Sequence, residues 1–122
     1  MSQNNGKQVG LYNKEYNSLL HIELPESPIY QSQGLIKHIK NHQHRDMIPY
    51  MSLIPYILAN PDYIGTHPNT PDSMEYVKII QDNILVAVKL DHNSGQLYVS
   101  SMYSITQGKL NNRIRSGRLI KP

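Results

Sequence analysis

The segment GLIKHIKNHQHRD, residues 34–46, places three of the chain's six histidines within seven positions, among lysines and an arginine. Histidine has the unperturbed pKa nearest neutrality, so it can move protons at physiological pH, and its ring nitrogens also bind metals. Residues at i, i+4 and i+7 share a helix face, so we expect His38, His42 and Arg45 to project together and His44 to point elsewhere. Three interpretations follow: a metal site, proton transfer, or polar side chains on the rim of a helix.

A metal site is the weakest of these interpretations. The HxxxH spacing of His38 and His42 suits zinc, yet the glutamate of HExxH is missing and catalytic zinc needs a third protein ligand. The chain has no cysteine, which excludes a thiolate zinc site, a disulfide scaffold and a cysteine nucleophile. We therefore expect no metal and no cofactor, whereas a pair of rim histidines without chemistry stays open.

Proton transfer fits the cleavage of RNA by its own 2′-hydroxyl. That reaction needs a base for the hydroxyl, an acid for the departing 5′-oxygen, and cations or hydrogen-bond donors around the transition state. No metal is needed, because the nucleophile belongs to the substrate. Lys89 lies in one β-rich run and Ser101 and Tyr103 in the next, so the chain contains every group required. Spacing alone does not show that these groups meet in space.

The end of the chain is strongly basic. Residues 109–122 hold five Lys or Arg and no acid, a net charge of +5, whereas residues 1–108 hold seven Lys or Arg and nine Asp or Glu, a net charge of −2. This basic end is where a polyanion such as RNA would bind. The alternative is a frayed, solvated cationic tail.

These groups must be positioned by a small domain. The 122 residues suit a single domain, and neither a signal peptide nor a run of about 18 apolar residues is present, so we expect a cytoplasmic protein with no membrane association. Residues 1–8 are expected to be flexible. Helical patterns dominate the first half, where Ser32 can cap the histidine helix and the prolines at 49, 55 and 61 divide the following segment into two short helices.

The second half changes to an extended pattern. Residues 66–73 are expected to form an exposed loop, and the runs at 74–81, 83–91 and 96–105 are predicted to be three antiparallel strands. A basic helix is predicted from Thr106 to about Ser116 and Gly117. The predicted fold class is therefore α+β, with N-terminal helices packed on a small twisted antiparallel meander and a basic C-terminal helix.

Five blocks occur in an order and at a spacing that resemble a known family: IYQSQGLIKHIKNH, IPYILANPDYIG, DNILVAVKLD, LYVSSMYSIT and KLNNRIRSGRL. Together they are similar to the phage-encoded branch of the barnase/EndoU/colicin/RelE-like (BECR) nuclease superfamily, over roughly residues 8 to 120. The resemblance implies N-terminal helices on a four- or five-stranded antiparallel sheet. It also implies a metal-independent endoribonuclease of the kind found among toxins and phage elements.

The resemblance assigns roles to residues of this chain. The helix histidine of the family maps to His38, with His42 one turn on as its partner, and the sheet lysine maps to Lys89. Ser101 stands where the family block has threonine, which keeps the hydroxyl but loses the β-methyl that fixes its rotamer. Tyr103 completes the predicted catalytic set. The predicted RNA-binding cations are Lys109, Arg113, Arg118 and Arg45.

Each assignment has a plain structural alternative. Lys89 could point to solvent, Ser101 and Tyr103 could be strand surface, and the arginines could belong to a solvated helix end. A nuclease-like scaffold that holds RNA or blocks a protein without catalysis is the second functional hypothesis, and a phage structural module is the third. Because the chain starts at Met1 and is no longer than the domain, a stand-alone effector acting on RNA, with tRNA one candidate, is favoured. An antitoxin or immunity protein would then be needed as restraint.

Overall fold

The computed structural model describes residues 6–42, 44–70 and 72–122. Within those ranges the chain forms seven strands, four α-helices and one 3₁₀ helix. In chain order these are β1 (Gly6–Leu11), α1 (Tyr16–Leu20), β2 (Pro28–Ser32), α2 (Leu35–Asn41), the 3₁₀ helix (Arg45–Leu53), α3 (Ile54–Ala59), β3 (Tyr63–Thr66), β4 (Ser73–Ile79), β5 (Asn83–Leu90), β6 (Leu97–Ile105), α4 (Gln107–Arg115) and β7 (Leu119–Ile120). The predicted α+β class is confirmed.

All seven strands of the described ranges lie in one sheet, in the order β1-β2-β6-β5-β4-β3-β7. Every neighbouring pair is antiparallel except β2 and β6, which run parallel at two residue pairs, Ile29 with Leu97 and Tyr30 with Tyr98. The prediction of a small, purely antiparallel sheet was therefore wrong, as was the implied count of four or five strands. The difference comes from β1, β2, β3 and β7, which are short and carry little periodic pattern.

The strands predicted in the second half coincide closely with β4, β5 and β6, which pair antiparallel in sequence order. The basic helix α4 also begins as predicted, since the Thr106 hydroxyl accepts a hydrogen bond from the Lys109 backbone N–H at 3.1 Å. Gly117 follows the end of that helix with φ of 84°, a left-handed conformation that glycine adopts without strain. The chain then returns to the sheet as β7 and does not fray.

Several details of the first half differ from the sequence prediction. Gly34 and not Ser32 precedes α2, and it provides no side-chain cap. Residues 6–8, which were expected to be flexible, pair with β2 as part of β1, and residues 1–5 lie outside the described residues. The prolines act as expected, because Pro49 lies in the 3₁₀ helix and Pro55 in the first turn of α3.

The two faces of the sheet are covered differently. On one, here called the core face, Ile84, Val86 and Val88 of β5 pack in a single cluster with buried side chains of α2 and α3, Ile39 and Ile54 among them. This cluster contains most of the buried apolar residues of the described chain. It supplies the main hydrophobic stabilisation of the fold.

The opposite face, here called the open face, is covered at one end by α4. There Leu110 and Ile114 pack on Val77, Leu85 and Ile105 of the sheet. A short glycine-dependent contact secures this end of the molecule: a Cβ at position 65 would collide with the carbonyl oxygen of Arg118, and its absence lets β7 pair with β3.

Candidate active site

Lys89, Ser101 and Tyr103 share the open face because of the register of β5 and β6. Ala87 pairs with Ser101 and Leu85 pairs with Tyr103, and paired residues of neighbouring strands point to the same side of a sheet. Lys89 lies two residues beyond Ala87 and therefore points the same way. All three residues are partly buried. Lys89 is therefore not directed fully into solvent.

A β-bulge at Ser100 makes this convergence possible. Ala87 pairs with Ser101 while the next residue, Val88, pairs with Val99, so Ser100 is an extra residue on β6. Its hydroxyl donates a hydrogen bond to the Ala87 carbonyl oxygen at 3.3 Å. Val99 points into the core, and strict alternation from that residue would also turn Ser101 into the core. The extra residue returns Ser101 to the open face.

His38 lies in the histidine segment, which reaches the open face through His44. Helix α2 packs along β6, with Leu35 and Ile39 buried in the core and His38 on the exposed side of the helix. Partial burial of the ring, followed by the charges of His42, His44 and Lys89, lowers the pKa of His38 below its ordinary value. Lys89 is therefore near enough to act on His38 electrostatically, and the neutral imidazole is favoured at pH 7.

The two remaining histidines of the cluster occupy different positions. The rings of His38 and His42 lie 4.3 Å apart between centroids. His44 was expected to point elsewhere, but its ring stacks on Tyr103 with centroids 5.4 Å apart and planes inclined by 28°. The prediction for His44 failed because α2 ends at Asn41, so helical spacing does not continue through the segment. For the same reason Arg45, exposed at the start of the 3₁₀ helix, is not on a continuous helix with His38.

A buried carboxylate organises the other side of the open face. Glu75 of β4 pairs with Ala87, and its side chain is 1% exposed. Arg118 donates to it through two parallel hydrogen bonds, Nε to Oε1 at 2.8 Å and Nη2 to Oε2 at 2.7 Å. Arg113 adds a longer ion pair, with Nη1 3.8 Å from Oε2. Two arginines thus share one carboxylate, which leaves a net positive charge beside Ala87.

Arg118 is also coupled electrostatically to the side of the face that carries Tyr103. The hydrogen bonds and charge of Glu75 raise the pKa of the Arg118 guanidinium, and Tyr103 contributes in the same direction. Both arginines predicted to bind phosphates are therefore positioned by Glu75, while Lys109 is exposed in the first turn of α4. Contacts of Lys109, Arg113, Arg118 and Arg45 with RNA stay predictions.

Sequence reasoning missed Glu75 and the position of His44. An acidic residue within the apolar run of β4 was the available signal for Glu75, because a carboxylate in a strand buried on both faces requires a cation partner. That partner lies 43 residues further along the chain, and no local pattern identifies it. For His44 there was no comparable signal, because its position depends on where α2 ends.

Taken together, the open face offers the components of acid–base chemistry at a phosphate: imidazoles, an ammonium, two hydroxyls and a pair of arginines. Within the described ranges, no group of three or more His, Asp or Glu side chains is arranged to hold a metal ion. No helix in the described part of the chain is both long and apolar enough to cross a membrane.

Comparison with known proteins gave one match. The model of a family described as phage-Barnase-EndoU-ColicinE5/D-RelE like nuclease3 matches residues 7–112, which include α2 and the three strands that carry the candidate residues. No curated protein and no solved structure matches the chain.

Proposed function

We propose that this chain, which belongs to the phage-Barnase-EndoU-ColicinE5/D-RelE like nuclease family, is a metal-independent endoribonuclease. The observation that carries the proposal is that the histidine segment reaches the open face at Tyr103, where β5 and β6 also present Lys89 and Ser101. His38 of α2 lies within electrostatic reach of Lys89 of β5, and Tyr103 of β6 contacts His44 from the same histidine segment. Ser101 lies between Lys89 and Tyr103 along this face.

In this mechanism the RNA supplies the nucleophile. Neutral His38 takes the proton of a 2′-hydroxyl, whose oxygen attacks the adjacent phosphorus, and the bond from phosphorus to the 5′-oxygen breaks. The departing oxygen receives a proton from an acid, which leaves a 2′,3′-cyclic phosphate and a 5′-hydroxyl. The lowered pKa of His38 suits the base, because most of the imidazole is then neutral at pH 7.

The acid must act on the opposite side of the phosphorus from the base. The rings of His38 and His42 are only 4.3 Å apart, so they cannot flank a phosphate between them. We therefore assign His42 to orienting His38 and assign the acid to the stacked pair of His44 and Tyr103. Lys89 neutralises the charge that develops on the phosphate oxygens, and the Ser101 hydroxyl donates a hydrogen bond to them.

The proposed activity also suggests roles for the cations around the reacting phosphate and for the protein in the cell. Arg113 and Arg118, presented by Glu75, would bind phosphates that flank the cleavage point, and exposed Lys109 and Arg45 would extend the cationic track. We propose that the protein acts in the cytoplasm as a toxin or phage effector on RNA, with tRNA one candidate substrate. An active nuclease there requires an antitoxin or immunity protein as restraint.

The test is cleavage of total tRNA and of longer RNA by the purified protein in EDTA. We expect chelator-resistant cleavage that leaves cyclic-phosphate ends, and no cleavage of DNA or 2′-O-methyl RNA, which lack the attacking hydroxyl. His38→Ala and Lys89→Ala should each reduce the rate by ~100-fold or more. His67→Ala and Lys14→Ala, which change the same residue types at loop positions, are the matched controls.

Two results would contradict the proposal. Full activity in both His38→Ala and Lys89→Ala would show that the site lies elsewhere. Binding of RNA without any cleavage would instead support the non-catalytic, RNA- or protein-binding alternative.

A further inference from the structure

We propose that the open face carries a nucleobase-binding subsite beside Lys89, formed by Tyr98, Tyr30 and Asp91, which holds the base of a nucleotide next to the cleaved phosphate. This inference rests on the proposed function and adds a determinant of sequence preference to it.

Two tyrosines form the floor of this subsite. Tyr98 pairs directly with Lys89 across β5 and β6, and Tyr30 pairs with Tyr98 across β2 and β6, so the three side chains form one row across the open face. Their neighbours Ile29 and Leu97 are buried on the core face, which fixes the opposite orientation of the tyrosines. Tyr98 is 38% exposed. An exposed aromatic ring beside a cation is a surface on which a base of single-stranded RNA can stack.

A cleft lies over these rings. It has a volume of about 330 Å³ and is lined by Tyr30, Ser32, Asp91, Ser94, Gln96 and Tyr98. The cleft is bounded on one side by the loop between β5 and β6, which begins at Asp91. Paired residues on neighbouring strands have Cβ atoms about 5 Å apart, so the cleft begins one side chain away from the proposed catalytic lysine.

Asp91 gives the cleft its chemical selectivity. Its carboxylate accepts hydrogen bonds from the Asn93 backbone N–H at 3.0 Å and from the Ser94 hydroxyl at 3.0 Å. These bonds, led by that from Asn93, lower the pKa of Asp91, so the carboxylate is ionised and acts only as an acceptor. Its negative charge repels a phosphate and attracts the amino groups of a base. Adenine, cytosine and guanine carry an exocyclic amino group, and uracil does not.

The experiment uses short oligoribonucleotides that differ only in the base next to the cut. For Tyr98→Leu we expect KM to rise about 10-fold, because one base loses its stacking partner, while Tyr98→Phe should stay within about twofold of the parent. Tyr56→Leu is the matched control, since Tyr56 is 51% exposed on α3. Asp91→Asn should abolish the preference for amino-bearing bases over uracil.

A second measurement separates this inference from the proposed function. Binding of a 2′-O-methyl oligonucleotide does not depend on cleavage, so it reports on the subsite even where no RNA is cut. A Tyr98→Leu variant that binds about 10-fold more weakly than the parent supports the subsite, whether or not the parent cleaves RNA. If Tyr98→Leu and Tyr56→Leu bind and cleave alike, the inference is overturned while the nuclease proposal can still stand.

Discussion

The core face and the open face of the sheet are built from the same strands but differ in what covers them. On β5, Ile84, Val86 and Val88 are fully buried under the helices, whereas Ala87 and Lys89, the residues between and after them, are only partly buried. The alternation of side chains along a strand therefore separates stabilising residues from candidate catalytic ones. Substitutions on the two faces should therefore have separable effects on the free energy of unfolding and on the rate of RNA cleavage.

The largest stability effect is expected on the core face. Ile84→Ala removes a fully buried side chain and should lower the free energy of unfolding by about 3 kcal/mol, measured by urea denaturation. Ile79→Ala, at a position 46% exposed near the end of β4, should change it by about 0.5 kcal/mol or less. Equal losses in the two variants would contradict the contrast between the faces.

A smaller loss of stability is expected at the ion pair of the open face. Glu75→Gln leaves two arginines without their carboxylate, and removing one partner of a fully buried pair costs about 3–5 kcal/mol. Here the side chains of Arg113 and Arg118 are 18% and 20% exposed, so about 2 kcal/mol is expected.

The kinetics of RNA cleavage by Glu75→Gln test whether Glu75 also positions the arginines for substrate binding. If Glu75 positions the arginines for phosphates, KM should rise more than kcat falls, and Glu75→Asp should partly restore KM. The control is Asp62→Asn at the more exposed pair with Lys78, which should cost less than about 1 kcal/mol and leave KM unchanged. A fall in kcat alone would argue against the positioning role.

Removing the hydroxyl group from two buried tyrosines of the core cluster should change the free energy of unfolding in opposite directions. The Tyr12 hydroxyl donates to Asn17 Oδ1 at 2.7 Å, so Tyr12→Phe should lower the free energy of unfolding by about 1 kcal/mol. Among the described residues the Tyr76 hydroxyl has no hydrogen-bond partner, so Tyr76→Phe should raise it by about 1 kcal/mol. Neither change should alter cleavage. Losses of similar size in both variants would refute this reading of Tyr76.

The smallest expected effect is a shift of the pH profile. Burial and the neighbouring cations lower the pKa of His38, so the acid limb of kcat/KM should lie below pH 6.5, the ordinary value for histidine. His42→Ala removes one of those cations, which should raise the pKa of His38 and move the acid limb to higher pH. Activity at pH 6 relative to pH 8 should then fall. An acid limb that stays in place would show that His38 is not the titrating base.

The sequence predicted the elements whose signals are local. Alternation identified β4, β5 and β6, and Thr106 marked the start of α4 because a cap acts within three residues. The same reasoning missed β7, whose pairing depends on Gly65 more than 50 residues earlier in the chain. It also missed the bulge at Ser100, which leaves no distinctive residue pattern.

The candidate site was predictable only in part, for the same reason. Residue chemistry proposed His38, Lys89, Ser101 and Tyr103 as candidates, and the strand register puts Lys89, Ser101 and Tyr103 on one face, while their catalytic roles stay predictions. Residue chemistry did not identify Glu75, because the cation that balances this carboxylate, Arg118, lies 43 residues further along the chain. The parts of the candidate site that depend on long-range pairing therefore could not be predicted from local sequence patterns.

The extra residue in β6 has a consequence for how this protein tolerates change. Deletion of Ser100 would place Ser101 directly after Val99, so regular alternation would still leave Ser101 and Tyr103 on the open face and Met102 in the core. Strand β5 has no such extra residue opposite the bulge, so deletion of Ala87 would instead turn Val88 to the open face and Lys89 into the core relative to Val86. A one-residue deletion should thus be tolerated better at Ser100 than at Ala87.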